Sequence, residues 1–251
     1  MGVVTLEGGL PELLDAIWQV YRETNLARIV AIEHTALAVL EGKLDASTRT
    51  AAAMDAHKLT GILGTLGRPQ GSVLALEAES VLIGHEPIDA KRLAELAVAL
   101  RSEFDARDAG RSWTTPAPST PNANAAAGAL DVLLVEDDPV LADLLSRALR
   151  VRGHKTEIVG DGRAALERLT NAGARPRLVI LDVDLPGLDG VSVLRALAER
   201  GVLLQTSVMM LTVRSSEADI LSTLRLGAAD HVGKPFSLAV LLEKADRLLA
   251  R

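Results

Sequence analysis

Glu136-Asp137-Asp138 form an acidic triplet, Asp182 stands in the run DVDLPGLDG, Thr212 offers a hydroxyl, and Lys234 precedes Pro235. Carboxylates gathered at one place repel unless a cation joins them, and an oxygen-only ligand set favours octahedral magnesium. Magnesium can bridge a carboxylate nucleophile and an incoming phosphoryl group while neutralising charge on both. A lysine and a hydroxyl opposite would hold the remaining phosphoryl oxygens. These residue types together suit the formation of an acyl phosphate on an aspartate.

A second candidate lies in the segment from Asp55 to Gly67, DAHKLTGILGTLG. On a helix, Leu59, Leu63 and Leu66 share one face and belong to a core. His57, Gly61 and Gly64 share another at i, i+4 and i+7. An interior glycine costs a helix about 1 kcal/mol relative to alanine, so two beside one histidine suggest the close approach of another surface. An accessible imidazole with no bulky neighbour is what in-line phosphoryl exchange requires. Most helical histidines are solvated or satisfied by a carbonyl, and His34, His85 and His154 are read in that way.

The elements that must position these residues fall into two groups. Ser112 to Leu130, SWTTPAPSTPNANAAAGAL, has no charged residue, carries Pro116, Pro118 and Pro121, and shows no helical or alternating period. That is linker composition. Before it, helical periodicity covers Pro11–Thr24, Asn25–Leu44, Asp45–Leu66, Pro69–Ile83 and Ile88–Asp108, with Asp45 or Ser47 as a cap. Helices joined by short loops predict an all-α up-and-down bundle. After it, short β-rich runs alternate with helical ones. Val132–Val135, Thr156–Val159, Leu178–Leu181, Ser207–Leu211 and Asp230–Val232 are the strands. Val140–Val151, Arg163–Thr170, Val191–Glu199, Glu217–Leu226 and Ser237–Ala250 are the helices. Five βα units predict an α/β domain, a parallel five-stranded sheet covered on both faces. In such folds the site lies at the carboxyl ends of the strands, where the acids, Thr212 and Lys234 all fall. The expected division is 1–110 bundle, 111–130 linker and 131–251 α/β domain.

Residues 131–251 resemble the response-regulator receiver domain, a flavodoxin-like doubly wound fold. The match rests on the acidic pair, the D-x-x-x-P-G-x-x-G setting of Asp182, the hydroxyl, the lysine, and the separations 137–182, 182–212 and 212–234. This resemblance implies that Asp182 is the phospho-acceptor and that Glu136, Asp137 and Asp182 hold magnesium with the backbone carbonyl of Asp184. It gives Thr212 and Lys234 the family's hydroxyl and lysine roles, with a cis proline after the lysine. Asp138 is expected to be an outer-shell charge and Asp189 a helix cap. The chain departs from the family at His231, where Tyr or Phe is usual, and at Val213, where a small residue is usual. Asp184 and Arg214 stand at variable rim positions and could pair across the mouth. Residues 10–108 resemble the histidine-phosphotransfer (Hpt) domain through the pattern A-H-x-L-x-G, which implies that His57 is a phosphoryl carrier. Many Hpt domains carry Lys and Ser at positions that here are Thr60 and Ile62, and Lys58 stands beside the histidine instead.

The implied function is phosphorelay signal transduction, with sensor histidine kinases or other relay proteins as partners. The domain would be no enzyme beyond catalysing its own phosphorylation and dephosphorylation. No G-x-x-x-x-G-K-[ST] loop or kinase-like glycine-rich segment is present in the sequence, so the phosphoryl group must come from another protein or a small donor. The formal net charge of −6 and only 2% aromatic residues argue against direct nucleic-acid binding. The absence of cysteine removes disulfides and thiolate chemistry. With no bilayer-length apolar run, a cytoplasmic protein without membrane contact is expected. Two other readings are an N-terminal regulatory part of a longer regulator with a diguanylate cyclase or DNA-binding output, and a non-catalytic interaction module.

Overall fold

The computed structural model describes residues 10–84, 87–105, 130–171, 175–213 and 216–250, and the chain divides into two compact units, Met1–Pro118 and Ser119–Arg251. The linker expected at 111–130, apart from Leu130, lies outside the described residues, as do His85 and Arg214.

Among its described residues the first unit has four helices: α1 (Leu10–Leu40), α2 (Ala46–Thr65), α3 (Pro69–Ile83) and α4 (Ala90–Asp105). Helix α1 packs on α2 and α4, and α3 packs on the same two, which closes a four-helix bundle. The helices expected over Pro11–Thr24 and Asn25–Leu44 are in fact one, of 31 residues. Asparagine suggests a boundary because its amide competes with the backbone. Here Asn25 is buried and its Oδ1 accepts a hydrogen bond from Arg28 Nη1 at 3.1 Å. With no Gly or Pro between Pro11 and Gly42, nothing breaks the ladder.

The cap of α2 is Asp45, whose carboxylate accepts from the Thr48 amide at 2.8 Å. Helix α4 buries Leu93, Leu96, Ala97, Leu100 and Phe104, a single stripe at helical spacing. Helix α3 meets α2 through small residues, Gly71, Ser72, Ala75 and Ala78. The Ser72 hydroxyl donates to the Thr60 carbonyl at 2.7 Å. Phe104 packs on Trp18 with ring centroids 4.5 Å apart, which joins the first helix to the last.

In the second unit the order is β1 (Val132–Val135), α5 (Pro139–Val151), β2 (Thr156–Val159), α6 (Gly162–Thr170), β3 (Leu178–Asp182), α7 (Gly190–Glu199), β4 (Ser207–Thr212), α8 (Glu217–Arg225), β5 (Asp230–Gly233) and α9 (Leu238–Leu249). The strands form one parallel sheet, ordered β2-β1-β3-β4-β5. This is the flavodoxin-like arrangement expected from the alternation of periods. Every residue of β1 and β3 is buried, because helices cover both faces. Leu133, Val135, Val179, Leu181, Val208 and Met210 alternate onto one face and pack with α6 and α7. Among the described residues no helix is long and apolar enough to cross a membrane.

Because Phe104 is fully buried at the α1–α4 seam, Phe104→Ala is expected to destabilise the bundle by about 3–5 kcal/mol. Urea unfolding followed by helical circular dichroism measures this, and a shift corresponding to less than about 1 kcal/mol would show that the seam collapses around the loss.

Candidate functional site

The parallel register brings the expected residues to one end of the sheet. Val135 pairs with Leu181 and Thr212 with Gly233, so neighbouring strands release the chain at nearly the same level. Glu136 and Asp137 follow β1, Asp182 ends β3, Thr212 ends β4 and Lys234 follows β5. The Lys234 amide donates to the Thr212 carbonyl at 2.6 Å, which extends the β4–β5 pairing into the lysine. Its peptide bond to Pro235 is cis.

The Lys234 ammonium donates to Glu136 Oε2 and to Asp182 Oδ2, each at 2.9 Å. All three side chains are almost fully buried, 4% exposed or less. One carboxylate oxygen each from Glu136, Asp137 and Asp182 lies within 4.8 Å of the others. The other oxygen of Asp182, Oδ1, is buried with no hydrogen-bond partner among the described residues. An acceptor left so is costly unless a cation or an electrophile comes to it.

Burial pushes the Glu136 carboxyl up to about 7, the nearby Asp182 charge adds to this, and Lys234 only partly offsets it. Burial alone would lower the Lys234 ammonium, but the charges of Glu136 and Asp182 outweigh it and hold it above 10.5. The cluster therefore carries more negative charge than one lysine balances, and an added cation would relieve it.

Other acids sort into different work. Asp138, expected as an outer charge, is buried and caps α5 by accepting from the Val140 amide at 3.0 Å. Asp189 caps α7 through the Ser192 amide and hydroxyl, the latter holding its carboxyl below the usual range. Asp184 is half-buried in the loop after β3, and its side chain is not in the carboxylate cluster. The rim pair expected with Arg214 lies outside the described residues. Thr212 and His231 line a cavity of about 90 Å³ together with Met210, Ile220 and Thr223.

The loop after Asp182 also depends on residues that the motif reading did not single out. Asp161 caps α6 by accepting from the Arg163 and Ala164 amides, and Gly162 donates to the Pro186 carbonyl at 3.4 Å. A Cβ at Gly162 would collide with the Leu188 carbonyl, and one at Gly190 with the carbonyl of Asp182 itself. The Asp161-Gly162 pair just after a strand was a readable cap signal, though not its contact with a loop more than twenty residues on.

In the bundle, Leu59, Leu63 and Leu66 are core as expected. The face beside His57 is narrower than the spacing suggested. Gly61 is buried and Gly64 half-buried, because the small residues of α3 let it lie close on α2. The imidazole is not open on both sides either: His57 Nδ1 stands 3.1 Å from Glu79 Oε1, with side chains 21% and 17% exposed. His154 Nε2 is satisfied by Asp246 at 2.6 Å.

Residues 132–246 match the family described as response regulator receiver domain. This segment is a receiver domain. The chain is 40% identical over 121 residues to the DNA-binding response regulator MtrA of Mycolicibacterium smegmatis, covering 48% of this chain and 50% of that protein. It is 42% identical over 120 residues to the sensory transduction protein RegX3 of Mycobacterium tuberculosis, covering 48% and 51%. The receiver domain of a sensor histidine kinase from Pseudomonas aeruginosa, solved with magnesium in its active-site cleft, is 28% identical, with 49% of this chain and all of that chain covered at a TM-score of 0.44. The chain thus spans about half the length of the curated relatives it matches. The bundle lies outside the matched residues, and relatives described as DNA-binding lend no support to the expected absence of a nucleic-acid partner.

Two outcomes test this geometry. Gly190→Ala is expected to destabilise the receiver domain by about 1–3 kcal/mol, measured by urea unfolding; an unchanged midpoint would mean that the loop has room to move. The folded chain keeps a proton on Glu136 between the usual 4.5 and about 7, whereas the unfolded chain has released it. Stability in the presence of a chelator should therefore fall as pH rises through that window, and Glu136→Gln should flatten the slope. Equal slopes in the two proteins would place the titration elsewhere.

Proposed function

We propose that this chain is a phosphorelay protein whose receiver domain accepts a phosphoryl group on Asp182 and whose bundle carries one on His57. The observation that carries the first half is the divided state of the Asp182 carboxylate. Oδ2 is held by Lys234, Oδ1 is buried with no hydrogen-bond partner among the described residues, and the carboxylate belongs to the acidic cluster.

The donor set fits magnesium, since it is all oxygen, clustered and over-negative. The carboxylates of Glu136, Asp137 and Asp182 and the backbone carbonyl of Asp184 would hold the ion. When bound, magnesium supplies the positive charge that lets an anionic phosphoryl group approach anionic carboxylates. Lys234 orients the acceptor and stands ready to donate to a phosphoryl oxygen. Thr212, at the end of the adjacent strand, offers its hydroxyl on the other side. Asp182 Oδ1 then attacks phosphorus, and the donor's leaving group departs opposite. No small substrate is turned over: the domain acts on its own phosphoryl group.

Receiver domains exchange phosphoryl groups with sensor histidine kinases and phosphotransfer proteins, and such partners are proposed here. The resemblance of the bundle to Hpt domains and the partly exposed imidazole of His57 support the carrier role.

Incubation with acetyl phosphate is expected to label Asp182 only when a divalent cation is present, and Asp182→Asn should remove the acid- and base-labile label. Beryllofluoride should bind under the same condition. Full labelling after chelation, or in Asp182→Asn, would remove Asp182 from the acceptor role.

A further inference from the structure

We infer that Asp161 is a positioning residue of the cation site, holding the loop that follows Asp182 in register with the acids that follow β1; this rests on the magnesium reading given above. The turn from β2 to α6, Gly160-Asp161-Gly162, touches both of the loops that bring the acids together. On one side it meets the end of β1. There the Glu136 amide donates to the Val159 carbonyl at 3.1 Å, and a Cβ at Gly160 would rest 4.0 Å from Asp137 Cα. On the other side it meets Pro186, Gly187 and Leu188. The Gly162 amide donates to the Pro186 carbonyl at 3.4 Å, and the Leu188 carbonyl leaves no room for a Cβ at Gly162.

Asp161 does more here than cap a helix. Asp189 spends both oxygens on its own helix, one on the Ser192 amide and one on the Ser192 hydroxyl. Asp161 accepts the Arg163 and Ala164 amides with Oδ1 alone. Its Oδ2 lies against Gly187, so close that an added Cβ there would stand 2.6 Å away. Capping α6 does not need that contact. Position 187 calls for glycine twice over, since its φ is +76°. The loop's own bonds are short in range: Leu185 donates to the Val183 carbonyl, Leu188 to that of Pro186, and Gly190 to that of Val183. Leu185 and Leu188 pack it on the core. These contacts shape the loop, and the Gly160–Gly162 turn ties it to Asp137. Magnesium tolerates little departure from octahedral geometry. It would need the Asp137 carboxylate from one loop and the Asp184 carbonyl from the other together. Residues that orient ligands without touching the ion change metal affinity by roughly 10–100-fold. Asp161 sets ligand spacing in this way.

Serine and asparagine separate the cap from the contact. Both cap helices about as well as aspartate. Asparagine also fills the place of Oδ2 beside Gly187, whereas serine leaves it empty. Magnesium chloride is titrated into the metal-stripped full chain and followed by ¹⁵N NMR at the amides of Val183, Leu185, Gly187 and Gly190. Urea unfolding with a chelator checks that each variant is folded, and the Arg163 and Ala164 amides report the cap. Asp161→Ser is expected to raise the magnesium Kd by roughly tenfold, and Asp161→Asn by less than about threefold. The magnesium concentration that half-saturates labelling by acetyl phosphate should rise in step in Asp161→Ser, with the rate at saturating magnesium unchanged. A Kd for Asp161→Ser within about twofold of the unsubstituted chain overturns the inference. So does an equal loss in Asp161→Asn, which would make charge and not position the cause. If magnesium shifts none of these amides with Asp161 present, the magnesium reading falls and the inference falls with it.

Discussion

The contact on which the receiver site turns is the buried ammonium of Lys234 between Glu136 and Asp182. Removing three charges from water is expensive, and their mutual attraction repays it only with good geometry. Here the geometry comes from strand register. Lys234 leaves β5 one residue after Gly233, which pairs with Thr212, and Asp182 pairs with Leu211 on the other side of β4. A slip of one residue in either ladder would turn the lysine or the aspartate to the opposite face of the sheet. The fully apolar runs of β1 and β3 forbid such slips less firmly than an alternating strand would. The buried ion pairs then add a register constraint that apolar packing alone does not give.

The same end of the sheet also carries the starts of α5, α6 and α7, which explains why so many acids crowd one mouth without sharing one task. Helix N-termini leave amides unsatisfied and bear partial positive charge. Asp138, Asp161 and Asp189 answer those amides, so their charge is spent locally. Glu136, Asp137 and Asp182 are the acids that gather at a single point. The distinction is one of backbone geometry. Each capping aspartate sits just before a helix with its carboxylate turned to that helix's own amides, whereas the cluster acids stand at strand ends and face one another.

How much of this was legible in the sequence differs between the units. Strand and helix ranges in the receiver domain were readable because a parallel sheet buried on both faces writes continuous apolar runs, and because its helices are amphipathic. The site was readable because strand ends fix where Asp182, Thr212 and Lys234 emerge. The bundle was harder. Thr24-Asn25 looked like a boundary, and only the Arg28 hydrogen bond to Asn25 shows why α1 runs on. The glycines beside His57 signalled close packing correctly, but the approaching surface at Gly61 is the bundle's own interior. Glu79 left no signal at all, since a residue on the next helix is brought to His57 by the α2–α3 crossing and not by any periodicity within α2. Gly162 and Gly190 were visible as glycines, but the carbonyls that exclude a side chain there belong to another loop.

In the proposed reaction, a phosphoryl acceptor with two equivalent atoms must present one and tether the other, or the approach is ill-defined. At Asp182 a cation, Lys234, holds Oδ2, while Oδ1 is buried with no hydrogen-bond partner among the described residues. The tether is a cation because the nucleophile is an anion. The same ammonium can follow the charge from the free carboxylate to a phosphoryl oxygen, so it contributes to both states, and its effect on transfer is the difference between the two contacts.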